Sequence, residues 1–194
     1  MDDENSNQKN NIKVILLGNS AVGKTNIILR YYKDIFEPKS IATIGANYII
    51  KQVKRDDITY NLHIWDTTGQ EKYHSVTNLF VQKSKIVILV YSIENKESFE
   101  KLDYWYETVL NICNKDKNIV FAIVGNKSDL FDEEECVITE EEGVKYAKEK
   151  NAIFKLVSAK MDKKGIESLF DQCLDEYIKI YQDTSNEPSS FRID

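Results

Sequence analysis

The run Gly18-Asn19-Ser20-Ala21-Val22-Gly23-Lys24-Thr25 has the spacing G-x-x-x-x-G-K-[ST], and its chemistry is phosphate binding. Backbone N–H groups in such a loop form an anion nest, and a helix opening at its end adds positive potential. Ser20, Ala21, Val22, Gly23, Lys24, Thr25 and Asn26 are therefore candidate phosphate contacts. Lys24 can reach the β- and γ-phosphates, and the Thr25 hydroxyl can ligate Mg²⁺. A second run, Trp65-Asp66-Thr67-Thr68-Gly69-Gln70-Glu71, supplies an acid, a glycine and an amide. Asp66 can hold Mg²⁺ through a water, Gly69 can present an N–H to a γ-phosphate, and Gln70 can orient an attacking water. A third run is Asn126-Lys127-Ser128-Asp129. Its Asp129 can accept hydrogen bonds from guanine N1–H and N2–H₂. Adenine lacks that donor pair, so an unpaired buried carboxylate would penalise the wrong base. The Lys127 stem can lie over the base, and Ser158-Ala159-Lys160 would bring the Ala159 N–H near guanine O6. Lys24 and Gln70 are the candidate catalytic residues.

These motifs need elements to hold them. Ile12 to Leu17, Ile86 to Tyr91, Ile119 to Val124 and Ile153 to Val157 are near-continuous apolar runs, which suits parallel strands covered on both faces. Tyr48 to Val53 and Ile58 to Trp65 alternate, with Arg55-Asp56-Asp57 as a hairpin turn, and read as the antiparallel edge of the sheet. Helical spacing runs from Ser98 to Cys113. Thr139 with Glu142 resembles a capping box opening a helix to about Lys150. Ile166, Leu169, Phe170, Cys173, Leu174, Tyr177, Ile178 and Tyr181 form one apolar stripe of a last helix. The expected fold is α/β: a six-stranded, mostly parallel mixed sheet with one antiparallel edge strand and five flanking helices. Each motif then falls at the carboxyl end of a strand, where open sheets bind ligands.

Composition excludes several classes. The 194 residues, 42% hydrophobic and 30% charged, fit one globular domain. The net charge of −6, with arginine only at positions 30, 55 and 192, gives no footprint for a nucleic-acid polymer. No run approaches the ~18 apolar residues that a membrane span requires. Cys113, Cys136 and Cys173 are too scattered for a zinc site or a disulfide framework. The expected organisation is a flexible segment at 1–10, the folded domain at 11–181 and a flexible tail at 182–194.

In these residues the chain resembles the Ras superfamily of small GTPases over roughly 11–181. Within it, Thr43-Ile44-Gly45-Ala46-Asn47-Tyr48, Ile64 to Ser75, Ile88 to Ile93 and Asn95 to Phe99 are most similar to the Rab family, with the two switch motifs nearest its early-endosomal subgroup. The resemblance implies a P-loop NTPase G domain that binds GTP or GDP with Mg²⁺ and hydrolyses GTP slowly. It implies that Thr43 binds the metal beside Thr25 and Asp66, and that Phe36 packs on the guanine. Tyr48, Trp65 and Phe80 occupy the places through which effectors read the nucleotide state. An exchange factor, a GTPase-activating protein and effectors are implied as partners, with a monomeric switch acting in vesicular traffic. The implied location is cytoplasmic, peripheral on endosomal or other vesicle membranes.

Three departures stand out. Thr68 replaces the alanine usual in the family, which would bear on hydrolysis or exchange. Leu79-Phe80-Val81-Gln82-Lys83 replaces a Tyr-Tyr-Arg-Gly type run. The terminal Ser-Phe-Arg-Ile-Asp carries none of the prenylated cysteines usual in Rabs, which fits either a sequence that continues further or a Rab-like protein without a lipid anchor. Two alternatives compete with a GTPase. A metabolic kinase would share the phosphate loop but not Asn126-Lys127-Ser128-Asp129, and a binding-only scaffold would have no use for Gln70.

Overall fold

The structure is a computed structural model that describes residues 10–38, 46–67, 79–114, 118–130 and 136–185. The strands are β1 (Asn11–Leu17), β2 (Ala46–Arg55), β3 (Ile58–Thr67), β4 (Ile86–Ser92), β5 (Val120–Asn126) and β6 (Ile153–Leu156). The described helices are α1 (Lys24–Lys33), α2 (Lys96–Glu100), α3 (Leu102–Ile112), α4 (Glu140–Glu149) and α5 (Lys163–Ser185), with a single 3₁₀ turn at Ser128–Leu130. The strands form one sheet in the order β2-β3-β1-β4-β5-β6. Only β2 runs antiparallel to its neighbour; Tyr48 faces Trp65 and Val53 faces Tyr60 across that pair.

Alternation along the strands builds two cores. Val14 and Leu16 of β1, with Ile86, Ile88 and Val90 of β4, point to the face covered by α1 and α5. Their neighbours Ile15, Leu17, Val87 and Leu89 point to the face covered by α3 and α4. A strand buried on both sides can be apolar at every position, which is why these runs lack a period of two. On the first face Tyr31 of α1 stacks on Phe170 of α5, with ring centroids 3.8 Å apart. The stripe from Ile166 to Tyr177 lies within this core.

Four details differ from the sequence reading. The helix expected over Ser98–Cys113 is interrupted at Lys101. The buried Ser98 hydroxyl accepts from the Ser92 N–H at 3.0 Å, and the Asn95 side chain caps α2. Those bonds anchor α2 to the end of β4, while backbone bonds continue across the interruption from Lys101 N–H to Glu97 and from Trp105 N–H to Lys101. The last helix begins before Ile166 and runs on through the polar residues to Ser185, into the expected tail. A helix already docked on a sheet propagates by backbone bonds without needing further apolar residues. Asn10, expected to be loose, is held where its carbonyl accepts from the Asn61 N–H at 2.8 Å. Asp56, with φ 50, and Asp57 alone make the hairpin turn, because Arg55 still pairs with Ile58. The capping box at Thr139 and Glu142 is present with both of its bonds.

Candidate nucleotide-binding site

The loop leaving β1 is shaped by two glycines. Gly18 has φ +144, and a Cβ there would stand 2.1 Å from the Val90 carbonyl oxygen. Gly23 has φ +95, and its Cβ would meet the Asn126 amide nitrogen at 2.3 Å. Only glycine fits both positions, and the second brings the phosphate loop against the third motif. Helix α1 opens directly after Gly23, and its first bond runs from the Ile27 N–H to the Gly23 carbonyl at 3.0 Å. The N–H groups ahead of it belong to the helix end, whose donors no carbonyl of the helix can reach.

Lys24 is buried, and its ammonium donates to the carbonyls of Gly18 and Asn19 at 2.8 Å each. An ammonium has three donors, so these two bonds leave one to aim at a phosphate. Burial pushes the Lys24 pKa down to about 8, against the opposing pull of the Asp66 carboxylate. The Thr25 hydroxyl donates to the Asp66 carboxylate at 2.7 Å, so the first and second motifs meet at the ends of β1 and β3. A hydroxyl and a carboxylate are the hard oxygen donors that Mg²⁺ prefers, and this pair fits that ion. Among the described residues, no cluster of three or more His, Cys, Asp or Glu forms a separate metal site.

Asn126 is buried and joins three parts of the chain. Its amide donates to the Val22 carbonyl at 2.8 Å and accepts from the Ala159 N–H at 3.1 Å. The Ala159 N–H, expected near guanine O6, is therefore directed at Asn126. A buried amide needs partners on both sides, and here the phosphate loop and the last motif supply them. The Ser158 hydroxyl donates to the Asp129 carboxylate, whose other oxygen lies 3.6 Å from the Lys160 ammonium. Lys127 pairs with Glu94. The Asn26 side chain is taken up in two bonds with the backbone of Glu37, at 2.8 and 3.1 Å, leaving its backbone as the part available to a phosphate. Phe36 is half-buried against the α1–α5 core. Tyr48, Trp65 and Phe80 form a row, with ring centroids 4.8 and 5.3 Å apart, and Tyr48 is 43% exposed. Thr43, Thr68, Gly69 and Gln70 lie outside the described residues.

Sequence reasoning missed the residues that brace the site. Arg30 donates to the carbonyls of Ala159 and Lys160, both at 2.9 Å, and so fixes the last motif to α1. The Trp105 indole donates to the Asn19 side chain at 3.2 Å, holding the outer side of the phosphate loop. Neither belongs to a motif; only the position of Arg30 in the helix that follows the loop hinted at it.

A G-x-x-x-x-G-K-T loop joined through Asn126 to the segment after β5, at the carboxyl edge of this sheet, defines the class of P-loop G domains. The Ras family model matches residues 13–179. The Caenorhabditis elegans "Ras-related protein Rab-18" is 35% identical over 193 residues, covering 100% of this chain and 93% of that protein. A Lymnaea stagnalis protein of the same name is 34% identical over 87% of the chain and 81% of its own length. The Arabidopsis thaliana "Ras-related protein RABA4a" is 37% identical over 87% of the chain and 72% of its own length. The chain belongs to the Ras family of small GTPases, in its Rab branch. These relatives carry Rab-18 and RABA4a names, where the switch motifs had suggested the early-endosomal subgroup.

Proposed function

We propose that this Rab-branch GTPase is a switch in membrane traffic. GTP held with Mg²⁺ orders two segments, about 36–48 and 66–82, and its slow hydrolysis to GDP releases them. The observation that carries this reading is Asn126, which ties the phosphate loop to the base-reading residues and makes them one site. Lys24 contributes positive charge beside the phosphates, and Asp129 accepts from the guanine edge. Thr25, Asp66 and Thr43 are the residues that would hold Mg²⁺, which when bound neutralises phosphate charge. Gln70 orients the attacking water. The described residues carry one arginine close to the site, Arg30, and its guanidinium is committed to the carbonyls of Ala159, Lys160 and Asp34 and to the Asp34 carboxylate. An activating protein in trans is therefore expected to supply the cation that stabilises the transition state. Tyr48, Trp65 and Phe80 present the aromatic surface that effectors read, and an exchange factor opens the site.

The test is to identify the nucleotide released from the purified chain and to follow single-turnover GTP hydrolysis. Recovered GDP and turnover on the order of 10⁻⁴ s⁻¹, the scale of the family's best-known member, are expected. Bound ATP, or rapid turnover without a partner, would overturn the reading. Among the described residues no helix is long and apolar enough to cross a membrane. Peripheral attachment to a vesicle surface is the expectation, checked by fractionating cells that express the chain.

A further inference from the structure

Glu94 belongs to none of the sequence motifs, yet its carboxylate pairs with the Lys127 ammonium. Both side chains are partly buried, with 32% and 30% of their surface exposed. The carboxylate stands on rigid ground. The turn that carries it is closed by the Asn95 N–H donating to the Ser92 carbonyl at 3.0 Å. The Asn95 side chain then caps α2 by accepting from the Ser98 N–H at 2.9 Å.

The same turn is sewn to the base-reading motif. The Ile93 N–H donates to the Asn126 carbonyl at 3.2 Å, and the Ile93 carbonyl accepts from Val137 and Ile138 at 2.9 and 3.1 Å. The residue before Glu94 is thus bonded to the residue before Lys127. The two side chains spring from backbones that cannot drift apart. Lys127 itself has φ 68, in the left-handed region that a lysine rarely adopts, so the root of its stem is fixed as well. What remains free is the four-carbon stem, and a fixed carboxylate at its end removes that freedom.

We propose that Glu94 is a positioning residue for guanine, holding the Lys127 stem as a preformed wall against which the base rests. This rests on the reading of Asn126–Asp129 as the base-recognition motif. The pair acts on the base and not on the γ-phosphate, so it governs how long nucleotide stays and not how fast it is cleaved.

The test follows release of a fluorescent GDP from the full chain in Mg²⁺ buffer. Glu94→Gln keeps the side chain's size and removes its charge. Release is expected to accelerate about fivefold, the scale of a partly exposed ion pair. Glu94→Asp, which keeps the charge, is expected to recover part of the difference. In a Lys127→Met background, Glu94→Gln is expected to add nothing. Single-turnover hydrolysis of GTP already bound is expected to be unchanged. An unaltered release rate in Glu94→Gln overturns the inference, as does equal acceleration in the Lys127→Met background, which would mean a merely structural role. A wild-type chain that retains ATP and not GDP would instead overturn the guanine reading on which the proposal stands.

Discussion

Gly23 shows how much one residue can carry. Its backbone is in a conformation that costs other residues roughly 1–2 kcal/mol, and its missing Cβ makes room for the Asn126 amide. Gly23→Ala would therefore displace an amide that bonds both Val22 and Ala159. Denaturant unfolding is expected to show a loss of about 2 kcal/mol or more, with GDP affinity down at least about tenfold by calorimetry. An alanine variant that binds GDP like the wild type would mean that the loop and the base motif are not coupled through Asn126. Thr68 is argued from sequence alone, as a hydroxyl and a β-branch where the family has alanine. Thr68→Ala is expected to change either the hydrolysis rate or the GDP release rate, and identical rates in both assays would remove Thr68 from the mechanism. The motif residues were legible because phosphate and base chemistry restrict residue type at fixed spacing. Their braces were not. Arg30 meets Ala159 and Lys160 across about 130 positions, and nothing periodic in a sequence marks such a pair.

Among the elements, β2 and β3 are the strands that carry Tyr48 and Trp65, and they are clamped to α5. The Arg55 guanidinium at the hairpin turn reaches Asp171 at 2.5 Å and Asp175 at 2.7 Å. Lys51 of β2 donates to the Tyr31 carbonyl at 2.6 Å and sits over that ring. These contacts tie the strands to α5 and to α1, which meet where Tyr31 stacks on Phe170. Helices α3 and α4 are joined at the surface, where Asp103 pairs with the Lys150 ammonium at 2.6 Å and accepts from the Tyr146 hydroxyl at 3.1 Å. The Lys150 bond comes first among the causes that hold the Asp103 carboxyl below its usual range. Its stabilising effect is therefore present above the unfolded carboxylate pKa of about 3.9 and is lost as pH falls through the lower folded value. Because Asp103 is largely exposed, the effect is under about 1 kcal/mol. Thermal melts of Asp103→Asn and wild type are expected to differ slightly at pH 6 and to converge as pH approaches 3; a gap that widens in acid would reverse the sign of the argument. Strands were legible here because burial on both faces leaves unbroken apolar runs. The interruption at Lys101 was not, since it follows from a Ser98 hydroxyl bonded to β4 and not from any break in the apolar spacing.

The whole molecule gathers its site from the ends of strands far apart in sequence. The phosphate loop follows β1, Asp66 closes β3, Glu94 follows β4, Asn126 closes β5 and Ser158 follows β6. Each segment alone has little to hold it, and the bonds through Asn126, Arg30 and Thr25 are what they share. A ligand that touches several of them at once can bind only the folded chain, so its binding free energy becomes folding free energy. At a hundredfold excess over Kd this amounts to about 2.7 kcal/mol. For a domain of this size that corresponds to a rise in Tm of roughly 5–10 °C. GDP with Mg²⁺ is expected to produce such a shift and ATP at the same concentration to produce none, because only guanine offers Asp129 its two donors. Differential scanning calorimetry with each nucleotide checks this. Equal shifts from both would mean that the phosphates alone hold the strand ends together and that Asp129 does not discriminate between bases.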